Sequence, residues 1–145
     1  MGSWSKGTSG LVILPDGRRV RGRGLRYGRP AEDLRPELGV YLSAQSPAPE
    51  AWESVWVCWA DFALPRHRAE AVDALRYVHG EAATRRVEIA CRGGVGRTGT
   101  AIALLARLAG VPGSEAVAWS RTHYRAGAVE TPWQRRFVAG VDLDR

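Results

Sequence analysis

The sequence predicts an α/β fold, a central, mostly parallel sheet flanked by helices, with an N-terminal β-hairpin and a C-terminal helical layer. Three observations predict it. Leu11-Val12-Ile13-Leu14 and Arg18-Arg19-Val20-Arg21-Gly22 bracket Pro15-Asp16-Gly17, where Asp-Gly accepts the positive φ of a tight hairpin turn. Across the middle of the chain, short apolar runs alternate with helical periodicity, the order of parallel strands joined by crossovers. From Ser114 onward the pattern is helical.

Taken in order, residues 1–9 are small and polar around Trp4 and are expected to form a mobile leader. Residues 10–145 then make one domain, because 145 residues at 45% hydrophobic content suffice for one core and not for two ordinary ones. Leu25 to Glu37, with Pro30 and Pro36, is expected to be loop with a helical turn. Gly39 to Leu42 predicts a strand, and the proline-rich Gln45 to Glu50 a surface loop. Ser54 to Trp59 has the β-branched and aromatic content of a buried strand.

Arg66 to about Ala82 predicts a helix, with Ala71, Leu75, Val78 and Ala82 sharing one face. Val87 to Ala90 is a short apolar run, read as a buried strand, and a glycine-rich loop from Cys91 to Gly96 follows it. Thr98 to Ala109 is apolar nearly all round and should be the central helix, stopped by Gly110 and Pro112. Ser114 is a suitable N-cap for a helix to Arg125. Thr131-Pro132 starts the last helix, with Trp133, Phe137 and Val141 on one face.

The formal charge is +6, nearly all of the excess arginine, since Lys6 is the only lysine. A basic surface suits phosphorylated or otherwise acidic partners. The arginines are scattered and no nucleic-acid reader motif accompanies them, so nucleic acid is not expected as a partner. Cys58 and Cys91 make neither a disulfide framework nor, with His67, His79 and His123, a metal-ligand spacing. No metal and no cofactor are therefore expected. The N-terminus lacks a secretory apolar region, and no apolar run approaches the ~20 residues of a membrane span, so a soluble cytoplasmic protein is expected.

The stretch from Cys91 to Gly99, CRGGVGRTG, concentrates the chemistry. A glycine-rich loop between a strand and a helix turns backbone N–H groups inward and adds the positive end of the helix dipole, which together cradle an anion. Phosphate or sulfate is expected to fit it. A thiol at Cys91, facing those donors and a guanidinium, is favoured as the thiolate. Arg97 can hold two equatorial oxygens of a phosphoryl group in its planar fork.

Cys91-Arg92-Gly93-Gly94-Val95-Gly96-Arg97-Thr98-Gly99 resembles the cysteine-x5-arginine-Ser/Thr loop of the protein tyrosine phosphatase superfamily, and the chain's size resembles its compact dual-specificity branch. The resemblance implies a phosphatase-like fold and a phosphomonoester hydrolase, first a protein-tyrosine phosphatase, acting through a cysteinyl-phosphate. A dual-specificity or phosphoinositide phosphatase is the nearby alternative, and a non-catalytic phosphate-binding module the alternative of another class. By resemblance, Cys91 is the nucleophile, Arg97 the clamp and Thr98 the donor that eases sulfur's departure. Arg92, Gly93, Gly94, Val95 and Gly96 are the expected substrate-binding residues of the loop, with Arg92 either adding positive potential at the pocket rim or pointing to solvent. Trp59-Ala60-Asp61-Phe62-Ala63-Leu64-Pro65 resembles the family's mobile acid loop, with Ala60 in the usual proline position, and makes Asp61 the general acid. Gln134, in a segment similar to one bearing a water-positioning glutamine, is either that residue or an exposed helical side chain. Phosphorylated proteins or peptides are the implied substrates, with phosphoinositides as the alternative.

One departure is visible: Ala90 stands where the family usually has a histidine that orders the loop. Cys58 has two readings, a buried small hydrophobe or a partner for oxidised Cys91 across neighbouring strands. Gly94-Val95-Gly96-Arg97-Thr98-Gly99 also matches a dinucleotide fingerprint, which requires a further strand ending in an acid. Gly110-Val111-Pro112-Gly113 instead leads into another helix.

Overall fold

The structure is a computed structural model and describes residues 2–144. β1 (Leu11–Ile13) and β2 (Arg19–Gly24) form the antiparallel hairpin, closed by Leu14 N–H donating to the Arg18 carbonyl at 2.8 Å, with Gly17 at φ 88°. Beyond two 3-10 turns at Leu25–Tyr27 and Glu32–Leu34 come β3 (Leu38–Ser43) and β4 (Glu53–Cys58). Helix α1 (Arg68–Glu81) crosses to β5 (Val87–Cys91). Helices α2 (Gly96–Leu108), α3 (Gly113–His123) and α4 (Pro132–Gly140) complete the chain.

The sheet order is β1-β2-β5-β3-β4, parallel everywhere except the hairpin. Alternation along the strands divides it into two unlike faces. Val20, Leu38, Val40, Leu42, Val87 and Ile89 point to one face and share a core with Leu75 and Val78 of α1 and Ile102, Leu104 and Leu105 of α2. The other face carries Arg21, Arg23, Tyr41 and Glu88.

On that second face Glu88 is fully buried. Its carboxylate accepts from Arg21 Nη2 at 2.5 Å, from Arg23 Nε and Nη2 at 2.8 Å each, and from the Tyr41 hydroxyl at 2.7 Å. Burial pushes its carboxyl up, but the bonds and charge of Arg23, then Arg21 and Tyr41, outweigh burial and hold it below the usual glutamate range. Trp52 adds its indole N–H to the Tyr41 oxygen at 2.6 Å.

Four sequence expectations need correction. The leader is not free: Trp4 is 1% exposed, its indole N–H donates to the Val87 carbonyl at 2.7 Å, and Arg21 and Arg86 lie over its ring. Met1, also assigned to the leader, lies outside the described residues, as does Arg145 at the end of the expected domain. β4 is an edge strand with only β3 beside it, so Trp56 stays 44% exposed rather than buried. Pro112, with no side-chain cap, takes the N-cap position of α3, and Ser114 falls inside the helix. Trp133 is 46% exposed while Phe137 of the same helix is buried, because Trp133 reaches toward the loop after β4.

Candidate active site

β4 and β5 run parallel and therefore end at the same edge of the sheet, one at Cys58 and the other at Cys91. The segments that follow them build the site. Cys91 is 2% exposed, and its Sγ accepts from the Gly94 backbone N–H at 3.3 Å and from the Thr98 hydroxyl at 3.0 Å. Gly94 sits at φ 71°, and a Cβ there would meet the Gly24 nitrogen of β2 at 2.5 Å. Only glycine fits that close approach. The first N–H groups of α2, which opens at Gly96, have no intrahelical acceptors, and Gly96 and Arg97 of that first turn line the cavity beside Cys91.

Ala90 is fully buried and lies in register with Arg23 and Tyr41 on the second face, away from the loop. Tyr124, the residue after α3, instead holds the loop from the helical side, its hydroxyl donating to the Gly94 carbonyl. Burial raises the Tyr124 phenol above its usual range, which keeps it a donor.

Arg97 is 6% exposed. Its Nη1 donates to the carbonyls of Trp59 at 3.0 Å and Leu42 at 3.2 Å, and these two bonds set the plane of the guanidinium. Nε is buried without a hydrogen-bond partner. Asp61 Oδ1 lies 3.7 Å from it, an ion-pair distance too long for a hydrogen bond. An unfilled charged donor at the wall of a cavity is costly unless a ligand accepts from it.

The loop after β4, which carries Asp61, is tied down on the opposite side. Phe62 takes φ 62°, unusual for a side chain of its size, and its carbonyl accepts from the Trp133 indole at 2.6 Å. The Ala63 carbonyl accepts from Trp59 Nε1 at 2.8 Å and from Gln134 Nε2 at 3.0 Å. Gln134 is fully buried, neither exposed nor facing the cavity: its Oε1 accepts from the N–H groups of Glu130 and Thr131, and its own N–H completes a capping box with Thr131.

Cys91, Arg92, Gly93, Val95, Gly96, Arg97 and Asp61 line one cavity of about 300 Å³. Gly94 and Thr98 touch the sulfur rather than the cavity wall. Three further residues line it that the sequence did not single out, Arg26, Tyr27 and Glu130. Glu130 lies so close to the loop that a Cβ on Gly96 would meet its Oε1 at 1.9 Å. Partial burial, together with the neighbouring Asp61, holds its carboxyl above the usual glutamate range against the pull of Arg97. No motif marks Glu130; the turn that aims it depends on Val129 at φ 63°, which composition does not foretell.

Cys58 and Cys91 are not on neighbouring strands, since β3 runs between β4 and β5. Two strand spacings, about 9.5 Å, exceed the reach of a disulfide. Cys58 Sγ instead contacts the Ala44 carbonyl at 3.6 Å. Among the described residues no group of three or more His, Cys, Asp and Glu side chains converges to hold a metal, and no helix is long and apolar enough to cross a membrane.

Comparison with solved structures finds similarity to Tk-PTP in its active form, at 24% identity over 88% of this chain and 92% of that one, with a TM-score of 0.65. The chain is also similar to kinase associated phosphatase (KAP) with its catalytic-site cysteine substituted by serine, at 15% identity over 92% of this chain and 94% of that one, with a TM-score of 0.64. At these identities the likeness speaks to the fold. Curated proteins yield no sequence match. The family model described as Protein-tyrosine phosphatase matches residues 37–141, which is most of the chain and includes the acid loop, the cysteine loop and α4. By that match, the chain belongs to the protein-tyrosine phosphatase family.

Proposed function

We propose that the chain hydrolyses phosphomonoesters, protein phosphotyrosine first among them, by two displacements at phosphorus. The observation that supports this most is the buried Cys91 sulfur, held by Gly94 and Thr98, in one cavity with Asp61 and an Arg97 whose Nε has no acceptor. In the first displacement the Cys91 thiolate forms the S–P bond as the P–O bond to the leaving group breaks, and Asp61 gives that oxygen its proton. Arg97 and the loop N–H groups stabilise charge on the equatorial oxygens. In the second, water forms the new O–P bond while Asp61 takes its proton, and the S–P bond breaks to regenerate the thiolate. Thr98 donates to the departing sulfur.

Tyr27 favours an aryl ester among the possible substrates: its ring is 71% exposed at the cavity edge, where an aromatic leaving group can stack. A catalytic thiol also requires a reducing compartment, consistent with a cytoplasmic location. The experiment is metal-free turnover of an aryl phosphate. Cys91→Ser should abolish it, at least about a thousandfold, while phosphate binding is kept. Binding by the wild-type protein without turnover would instead make it a phosphate-recognition module. Asp61→Asn should slow esters of poor leaving groups more than p-nitrophenyl phosphate.

A further inference from the structure

The Phe62 peptide stands between Asp61 and the last helix. Its N–H donates to Asp61 Oδ1 at 3.1 Å, and its carbonyl accepts from the Trp133 indole at 2.6 Å. Beyond the ion pair with Arg97 at 3.7 Å, that N–H is the one hydrogen-bond donor to the Asp61 carboxylate among the described residues. The orientation of this carboxyl therefore follows the Phe62 peptide, and with Oδ1 so occupied, Oδ2 is the oxygen free to carry a proton.

Phe62 does not favour the conformation it has. At φ 62° it lies in the left-handed region, where the Cβ of a residue other than glycine crowds the backbone carbonyl. Its ring is 54% exposed, so burial offsets little of that cost. A partner outside the residue has to hold it.

Trp133 meets that need. It is the second residue of α4, whose first turn is fixed by Pro132 and by the capping box of Thr131 and Gln134, so the indole projects from a rigid base. The ring stays half-exposed while Phe137, one turn on, is buried. Core packing thus accounts for Phe137 and not for Trp133, whose polar handle is committed to the Phe62 carbonyl.

We propose that Trp133 is a positioning residue for the reaction: its indole holds Phe62 left-handed by the carbonyl, and the Phe62 N–H in turn keeps the Asp61 carboxyl at the wall of the Cys91 cavity. This role rests on the phosphatase activity proposed above, in which Asp61 protonates the leaving oxygen.

Trp133→Phe keeps an aromatic ring and removes the donor. For phenyl phosphate, whose leaving group needs a proton, kcat/KM should fall roughly three- to tenfold, the worth of one neutral hydrogen bond. For p-nitrophenyl phosphate, a better leaving group, it should change less than about twofold. In the Asp61→Asn protein the same substitution should cost less than about twofold on either ester, because no proton is left to aim. It should also cost less than about twofold in the Phe62→Asn protein, because asparagine accepts the left-handed region without an external hold. An equal loss on both esters, a loss that persists in full in either background, or no loss at all overturns the role.

NMR of Phe62 separates this proposal from the one it rests on, through the coupling between its amide and α protons, which reports φ independently of turnover. If Trp133→Phe changes that coupling while neither protein hydrolyses either ester, the hold on Phe62 stands and the catalytic reading fails. An unchanged coupling defeats the positioning role whatever the turnover.

Discussion

Arg97 and the pair Arg21 and Arg23 lie on opposite faces of one sheet, and the chain treats them differently. On the second face, Glu88 supplies the arginines with a carboxylate from within the fold, completed by Tyr41. On the helical face, two carbonyls orient Arg97 through Nη1 and leave Nε empty toward a cavity, with Asp61 held back at 3.7 Å. A guanidinium hydrogen-bonded to a carboxylate of the fold contributes to stability, whereas one oriented by carbonyls alone, with no carboxylate in hydrogen-bond reach, leaves its charge available to the cavity. Burial alone does not distinguish them. Their partners do.

The sharpest way to break this contrast is Arg97→Lys, which keeps the charge and removes the planar fork. Turnover of an aryl phosphate should fall by about 10²–10³-fold with the melting temperature little changed. Near-normal turnover would mean that Arg97 serves as a point charge and that its empty Nε has no special part.

Glu88→Gln tests the other face, with the readouts exchanged. Removing the charge leaves the buried Arg21 and the half-buried Arg23 without a counter-ion, a loss of about 3 kcal/mol in unfolding free energy, while kcat per folded molecule stays near wild type. The pH dependence follows from the lowered carboxyl of Glu88. Because the unfolded chain binds that proton more readily than the folded one, the stabilisation is complete above the ordinary glutamate value of 4.5 and is lost as pH falls through the lower folded value. Thermal melts of the wild type should weaken below that pH, and Glu88→Gln should flatten this acid limb. An unchanged limb would show that Glu88 does not set the acid stability.

The smallest effect is expected at the join between loop and helical layer. Tyr124→Phe removes the hydroxyl that holds the Gly94 carbonyl and should reduce kcat/KM by about three- to tenfold, the worth of one neutral hydrogen bond. Equal activity would mean that Gly94 and Thr98 order the loop without help from α3.

Much of this was legible in the chain because it rests on local rules. Asp16-Gly17 set the hairpin, the apolar periodicity of Thr98 to Ala109 set the central helix, and Thr131-Pro132 set the start of α4. The loop from Cys91 to Thr98 was legible for the same reason: its residues meet through a single strand-to-helix turn. Misreadings fell where distant segments decide. Trp4 looked like part of a loose leader because its acceptor, the Val87 carbonyl, is far off in sequence. β4 looked buried because composition reports apolar content and not whether a strand has neighbours on both sides. Gln134 had two readings from sequence, neither of which included the acid loop now bonded to its amide.

By itself, the sequence determined which elements form and which residues have the chemistry, since period, turn residues and motif spacing act over a few positions of chain. Tertiary structure alone decided who meets whom. It brought Asp61 and Glu130 to the same cavity as Cys91, put β3 between the two cysteines, gave Glu88 to two arginines and left Arg97 one empty donor. The physical reason is that hydrogen bonds and ion pairs are made by proximity in space, and proximity between distant segments exists only once the sheet order is set.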